Sequence, residues 1–420
     1  MLKNSKLTNR LGPGLITGAA DDDPSGLATY SQAGAQFGVG MLWTLAFTTP
    51  LMIGIQMVSA RIGWITGRGL ADSMRLVMPG WVTVSLVTLL VMANTLNIAA
   101  DIAAMGEALQ LVAGGPEHGH AVMFGLLCAV LPVWLGYDAM VRVLKWLTLA
   151  LLAYVGVVFA LHVDWERVLI NTVVPQFQQN SGYWMMIVAV LGTTISPYLF
   201  FWQAAQEAEQ RQRMNDNPAI AQDATFFREH LYRIKLDTTV GMVFSNTIAF
   251  CVMLATAMTL NQHGVTDIQT TKQAAEALRP IAGEFAFTLF ALGIIGTGML
   301  AVPVLAGSAA YAVADVFQWR SGLDHTLTEA KGFYGVLISA TIMGVLIDFT
   351  PLDPIKALVW SAVVNGVVAV PIMVVMMRLG ASRTLLGDHT LTRRHQVLGW
   401  IATIVMLAAV VAMIWSWVNG

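Results

Sequence analysis

The sequence predicts an all-α polytopic membrane protein of eleven transmembrane helices, arranged as two inverted five-helix repeats with the first and sixth helices broken. Three observations carry this expectation. Of 420 residues, 56% are hydrophobic and only 11% charged, with a mean hydropathy of +0.65, a composition outside that of soluble globular domains. Apolar runs of about twenty residues, enough to cross a bilayer, recur along the whole chain. Two of those runs, five apart, are interrupted in the middle by glycine and proline, which points to an inverted repeat with a ligand held between half-helices near the midplane.

In order, the spans lie near 11–36, 41–60, 82–112, 121–138, 143–162, 183–206, 237–260, 285–316, 333–349, 356–377 and 396–417. Residues 11–162 would form the first repeat, 183–377 the second, and 396–417 an added eleventh helix, all in one domain spanning 1–420. With the amino terminus inside, the cytoplasmic side receives Lys3, Lys6 and Arg10, then Arg61, Arg68 and Arg75, then Arg142 and Lys145. It next receives Arg211, Arg213, Arg228, Arg233 and Lys235, then Arg320 and Lys331, and finally Arg378, Arg383, Arg393 and Arg394. Only Arg167, Lys272, Arg279 and Lys356, four of the 23 basic residues, fall outside. That asymmetry supports both the span count and the orientation, and it sets the carboxyl terminus outside the cell membrane. The longest hydrophilic stretch, Glu207 to Lys235, has room for a short surface helix but not for a domain.

Composition excludes several classes. Cys128 and Cys251 both fall in apolar segments, so no disulfide framework or multi-cysteine metal site is implied. No basic run suggests nucleic acid, and a net charge of −2 implies no soluble partner. The bilayer is the expected environment; a monomer suffices, and the oligomeric state stays open.

The chemistry is concentrated in the first break. Asp21, Asp22 and Asp23, followed by Pro24-Ser25-Gly26, are the only charged residues between Leu11 and Ala60. Each acid in a bilayer core costs roughly 2.5–3.5 kcal/mol on insertion scales, so a cluster there needs a partner. Pro24 removes a backbone donor and Gly26 tolerates any φ, so the helix should break beside the acids and free carbonyl oxygens. Oxygen ligands and negative charge together point to a cation. The plainer alternative is that Pro24 and Pro197 merely kink ordinary helices. It weakens because one break carries three acids and the other, Gly192-Thr193-Thr194-Ile195-Ser196-Pro197-Tyr198, lies five spans later.

These residues resemble the NRAMP (natural resistance-associated macrophage protein) family of divalent metal transporters. Gly12-Pro13-Gly14 and Asp23-Pro24-Ser25-Gly26 are similar to that family's Gly-Pro-Gly and Asp-Pro-Gly-Asn elements. Ser59-Ala60-Arg61-Ile62-Gly63, Thr66-Gly67 and Leu70-Ala71 resemble its signature after the second span, and Gly192 to Tyr198 its Gly-Ala-Thr-Val-Met-Pro-His pattern. The resemblance covers about ten spans and implies a LeuT-type fold, a transporter rather than an enzyme, and no cofactor besides the transported metal. It implies Asp23 as the metal-binding aspartate and Ala20 and Thr193 as backbone carbonyl ligands. It also exposes departures. Gly26 stands where the family has asparagine, Ser196 where it has a methionine thioether, Tyr198 and Gln203 where it has histidines, and Ala362 where it has glutamine. Asn365, a turn beyond Ala362, is a candidate replacement oxygen. Asp22 is expected to line the entry path or act through water, or else to hydrogen-bond the unwound segment together with Asp21.

A thioether favours soft transition metals, whereas carboxylate, hydroxyl, amide and carbonyl oxygens suit Mg²⁺ or Mn²⁺. Small residues at 26, 196 and 362 leave room for a partly hydrated ion, the form in which Mg²⁺ is usually held. This departure resembles the NRAMP-related magnesium transporters, and the expected substrate is Mg²⁺, with Mn²⁺ also carried. All eight histidines fall in loops or at span ends. Asp101 is one residue out of register with the family's third-span acid, about 100° of helix. Transport uncoupled from protons is therefore expected, with Asp101 hydrogen-bonded to neighbouring helices. The alternatives are a proton-coupled Mn²⁺ or Fe²⁺ importer and, from other classes, an organic-solute permease, a membrane metalloenzyme or a metal sensor. Three aspartates would repel a substrate carboxylate, no nucleophile and base pair is apparent, and no output domain is present.

Overall fold

A computed structural model describes residues 13–135, 149–178, 180–215, 224–323, 325–350 and 353–419. Among them the longer helices are α1 (Pro13–Asp21), α2 (Pro24–Phe37), α3 (Leu42–Thr66), α4 (Leu70–Val77), α5 (Gly80–Ala113), α6 (Glu117–Leu135), α7 (Leu152–Ala160) and α8 (Trp165–Val173). There follow α9 (Ser181–Thr194), α10 (Pro197–Asn215), α11 (Ala224–Thr259), α12 (Ala286–Phe317), α13 (Lys331–Asp348), α14 (Pro354–Ala381) and α15 (Arg393–Asn419). The described residues contain nine helical stretches long and apolar enough to cross a membrane, or ten if the bent pair α7 and α8 counts as one. The short half-helix α1 lies outside that number, so eleven crossings is compatible with the structure.

Polarity is distributed as a bilayer requires. Outward positions such as Met92 on α5, Leu126 on α6 and Ile404 on α15 are exposed, while Asp21 to Asp23, Asn94, Asn97, Asp101, Ser361 and Asn365 are buried. Interior polar groups are tied across helices: Asn94 Nδ2 donates to the Leu305 carbonyl at 2.9 Å, and Gln56 Nε2 donates to Gln203 Oε1 at 2.6 Å. With hydrocarbon outside, such bonds have no water to compete with them.

Both expected breaks are present. α1 ends at Asp21 and α2 begins at Pro24, with Asp23 as N-cap in extended conformation (φ −72°, ψ 168°). α9 ends at Thr194 and α10 begins at Pro197. In both breaks proline occupies the first position of the second half-helix, where its missing N–H has no helical partner to lose. α1 packs closely on α11: a Cβ on Gly18 would lie 2.4 Å from the Gly241 carbonyl carbon, so this approach requires glycine.

Several features differ from the sequence expectation. α10 and α11 run on through most of the hydrophilic 207–235 stretch, and residues 216–223 lie outside the described residues. So do 136–148, which hold the end of the fourth expected span and the start of the fifth. The described part of the fifth, α7, is followed after a 120° bend by α8. The sequence pattern does not predict α8, because nine residues with Glu166 and Arg167 on one side give no spanning signal; Trp165, Leu169, Ile170 and Val173 form its exposed apolar face.

Asp237 and Asp315, each a few residues from an arginine in sequence, serve helix N-termini. Asp237 Oδ2 accepts the Gly14 N–H of α1 at 2.8 Å, and Asp315 Oδ2 accepts the Asp72 N–H of α4 at 3.2 Å. A carboxylate at a helix N-terminus meets unpaired donors and the positive end of the dipole, which a distant Arg does not offer. Asp237→Ala is expected to lower stability by about 1 kcal/mol, read as a lower melting temperature in detergent, with Asp237→Asn recovering part of it.

Candidate cation site

The site is built where the two breaks face each other. At the C-terminal end of α1 the last carbonyls have no intrahelical partner, and at the start of α2 the first N–H groups have none. Asp23 Oδ1 accepts the Gly26 N–H at 2.6 Å, closing the α2 cap. Its second oxygen, Oδ2, accepts from Asn97 Nδ2 of α5 at 3.2 Å and from the Tyr198 hydroxyl of α10 at 3.3 Å. The same Tyr198 hydroxyl reaches the Ala20 carbonyl at 3.1 Å. Ser361 of α14 donates to Asn97 Oδ1 at 2.7 Å and lies 3.1 Å from Ser25 Oγ, whose hydroxyl donates to the Leu358 carbonyl at 2.9 Å. One connected network thus joins four parts of the chain around Asp23.

The other expected ligands fall around this centre in different ways. A Cβ added to Gly26 would meet Thr193 Oγ1 at 3.0 Å, which brings the two breaks into apposition. Gly26 therefore contributes an N–H and space rather than an oxygen, and an asparagine there would press on Thr193 and Tyr30. Ser196 Oγ shares its hydrogen between the Gly192 and Thr193 carbonyls of its own helix, at 2.9 and 2.8 Å, leaving its lone pairs free. Asn365 is buried and its Oδ1 has no hydrogen-bond partner. The tenth-span residue tied into the Asp23 network is Ser361, a turn earlier.

Asp22 and Asp21 turn toward α11. Ser245 Oγ lies 2.7 Å from Asp21 Oδ2 and 3.0 Å from Asp22 Oδ1, so one hydroxyl hydrogen serves two carboxylates, and Asp21 Oδ1 has no partner. Among the described residues none of Asp21, Asp22 or Asp23 forms an ion pair with Lys, Arg or His. Nor do three His, Cys, Asp or Glu side chains converge as a metal cage. An ion held here would be bound by one or two carboxylates, with neutral oxygens completing the shell.

Asp101 differs from expectation. It is fully buried, yet neither carboxylate oxygen has a hydrogen-bond partner of ordinary geometry; the donor it faces is the Ser25 N–H at the start of α2. The neighbouring-helix donor it meets is thus a backbone N–H, while Asn97, one turn earlier, holds the side-chain contacts to Ser361 and Asp23. Glu207, at the start of the hydrophilic stretch, is also buried, with Oε2 3.4 Å from His230 Nε2, whose ring stacks on Trp64 with centroids 3.5 Å apart. Glu209 accepts from the Tyr311 hydroxyl at 2.6 Å.

The sequence pattern does not mark Asn97, Ser25 or Ser361 as site residues, and it marks Tyr198 only as a departure from the family's histidine. Asn97 shares its apolar third span with Asn94 and Gln110, so an amide there is no signal by itself. All three aspartates are at most 3% exposed. A cavity of about 230 Å³ opens near the far end of α2, beside Phe37, Arg167, Asn171 and Asn261, and none of these site residues lines it.

Residues 14–416 match the family model described as natural resistance-associated macrophage protein-like. The chain belongs to the Nramp family. A divalent metal cation transporter of Deinococcus radiodurans is 25% identical over 426 aligned positions, covering 98% of this chain and 90% of that protein. One from Acidiphilium cryptum is 27% identical over 398, covering 90% and 83%. Among solved structures, the manganese transporter of Eremococcus coleocola superposes with a TM-score of 0.71 at 16% identity, over 96% of this chain and 86% of that one. MhsT in complex with L-phenylalanine gives 0.65 at 14%, over 97% and 99%. The Nramp chain thus shares its fold both with a manganese transporter and with a protein solved with L-phenylalanine, and the ligand must be argued from the site.

Proposed function

We propose that this Nramp-family protein is a transporter, not an enzyme, that carries divalent metal ions across the cell membrane by alternating access. The amino terminus would be cytoplasmic, with two five-helix repeats moving around the site. The supporting observation is the cluster of three buried carboxylates, without a cationic partner among the described residues, at the junction of two half-helix pairs. Such a cluster is stabilised by a cation that arrives as substrate. Asp23 supplies the principal charge, and the Ala20 and Thr193 carbonyls with Ser196 Oγ supply neutral oxygens. Asp22 and Asn365 would serve the outer part of the site, and Gly26 would leave room for ion-bound water.

The substrate favoured by this donor set is Mg²⁺, with Mn²⁺ also carried. Every candidate donor is an oxygen, and the soft thioether that would hold a transition metal is missing at position 196. Competition between the two ions in proteoliposomes tests this. Half-maximal Mn²⁺ uptake should shift upward severalfold in millimolar Mg²⁺, and direct Mg²⁺ uptake should be measurable. Uptake of Cd²⁺ or Fe²⁺ with exclusion of Mg²⁺ would overturn it. A second reading, a proton-coupled Mn²⁺ importer, draws support from the manganese transporter among the structural neighbours and from Asp101, buried beside the Asp23 network with neither oxygen in a hydrogen bond of ordinary geometry. The readings separate on one measurement: uncoupled transport predicts no lumenal acidification in step with metal uptake, and coupled transport predicts acidification that Asp101→Asn removes.

A further inference from the structure

Tyr198 is the residue in the second break that touches the first break twice. Its hydroxyl lies 3.1 Å from the Ala20 carbonyl and 3.3 Å from Asp23 Oδ2, so its one hydrogen is shared between them. Ala20 lies in the last turn of α1 and Asp23 caps α2, which means a single side chain spans the break. Pro197 fixes the start of α10, and Tyr198 follows it with 0% exposure, so its ring is held by packing and not by solvent. A phenol at this point offers a hydrogen where a cation between the same two oxygens would offer positive charge.

We infer that Tyr198 is a positioning residue that competes with the substrate ion: its hydroxyl holds the Ala20 carbonyl and Asp23 Oδ2 in place and must release both when the ion takes them. The inference rests on the site proposed above. An intramolecular hydrogen bond contributes about 0.5–1.5 kcal/mol net, and tenfold in affinity is about 1.4 kcal/mol. The hydroxyl should therefore weaken ion binding by roughly threefold to tenfold. A carrier gains from this, since substrate must bind well enough to enter and weakly enough to leave.

The test is Tyr198→Phe in the full-length purified protein, titrated calorimetrically with MnCl₂ and MgCl₂ after chelator treatment, with melting temperature and uptake measured alongside. The expected result is a split in sign. Both ions bind roughly threefold to tenfold more tightly, the chelated protein melts at a lower temperature, and the maximal uptake rate does not rise. A residue of purely structural importance would lower stability and weaken binding together. Unchanged or weaker binding of both ions overturns the inference. If the phenylalanine variant does not fold, Tyr198→Leu, also lacking the hydroxyl, carries the same expected sign. Asp23→Ala is measured beside it. Wild-type binding by Asp23→Ala removes the site assignment itself, whereas lost binding there without tightening in Tyr198→Phe removes this inference alone.

Discussion

Asp23→Ala is expected to reduce Mn²⁺ and Mg²⁺ binding by at least about 100-fold, equivalent to roughly 2.7 kcal/mol, and to abolish uptake by reconstituted protein. In the wild type Asp23 is the carboxylate that faces both breaks, with Oδ1 fixed by Gly26 N–H and Oδ2 toward Asn97 and Tyr198. Removing it leaves three donors, an amide N–H, a carboxamide and a hydroxyl, pointing at one another with no anion to balance an entering cation. The Coulomb attraction lost is several kcal/mol for charges about 4 Å apart at an effective dielectric near 20. Asp23→Asn keeps the shape and most hydrogen bonds but not the charge, and should be nearly as inactive while melting at or above the wild-type temperature, because burying a carboxylate is itself costly. Asp21→Asn, whose parent side chain is turned to Ser245, should lose less than tenfold. If Asp23→Ala binds Mn²⁺ normally while Asp21→Asn does not, the charge that matters has been assigned to the wrong aspartate.

The helices and both breaks are legible in the sequence for clear physical reasons. A bilayer requires long apolar runs, and proline in the middle of one removes a donor from the helix ladder, so the junctions at Asp23 and Pro197 can be placed within a residue or two. Asp23 itself is legible because an uncompensated acid in such a run is expensive. The surrounding network is not. Asn97, Ser361 and Tyr198 come from helices far apart in the chain, and serine or tyrosine in a membrane helix most often bonds its own backbone or packs, so nothing in the local pattern shows that they meet. The roles of Asp237 and Asp315 are hidden for a related reason. An acid near a basic residue in sequence looks like half of an ion pair, yet these two also receive the N-terminal N–H groups of α1 and α4. Helix termini satisfied by another helix's side chain leave no spacing signature.

Two glycines of the site separate space kept for packing from space kept for chemistry, and their alanine variants should behave very differently. A Cβ on Gly192 would lie 2.1 Å from the Ala362 carbonyl oxygen and 2.5 Å from the Gly366 nitrogen, both backbone atoms of α14. Neither can rotate away, so α9 and α14 would have to part along their contact, and overpacking of this kind costs about 1–3 kcal/mol or more. Gly192→Ala is expected to fall at or beyond the upper end, with a melting temperature lowered by several degrees, poor yield and little transport. The damage extends to the ion because α14 carries Ser361, which reaches Asp23 through Asn97. A Cβ on Gly26 meets Thr193 Oγ1 at 3.0 Å and Asp23 Oδ1 and Tyr30 Cε2 at 3.3 Å, side-chain atoms that need yield only a few tenths of an ångström. Gly26→Ala should therefore fold nearly as stably as the wild type while filling the space reserved for ion-bound water, so that Mg²⁺ transport falls more than Mn²⁺ transport. Equal melting losses in the two variants would show that Gly26 also serves packing. An unchanged ratio of Mg²⁺ to Mn²⁺ transport in a stable Gly26→Ala protein would mean that the ion passes this point without its water.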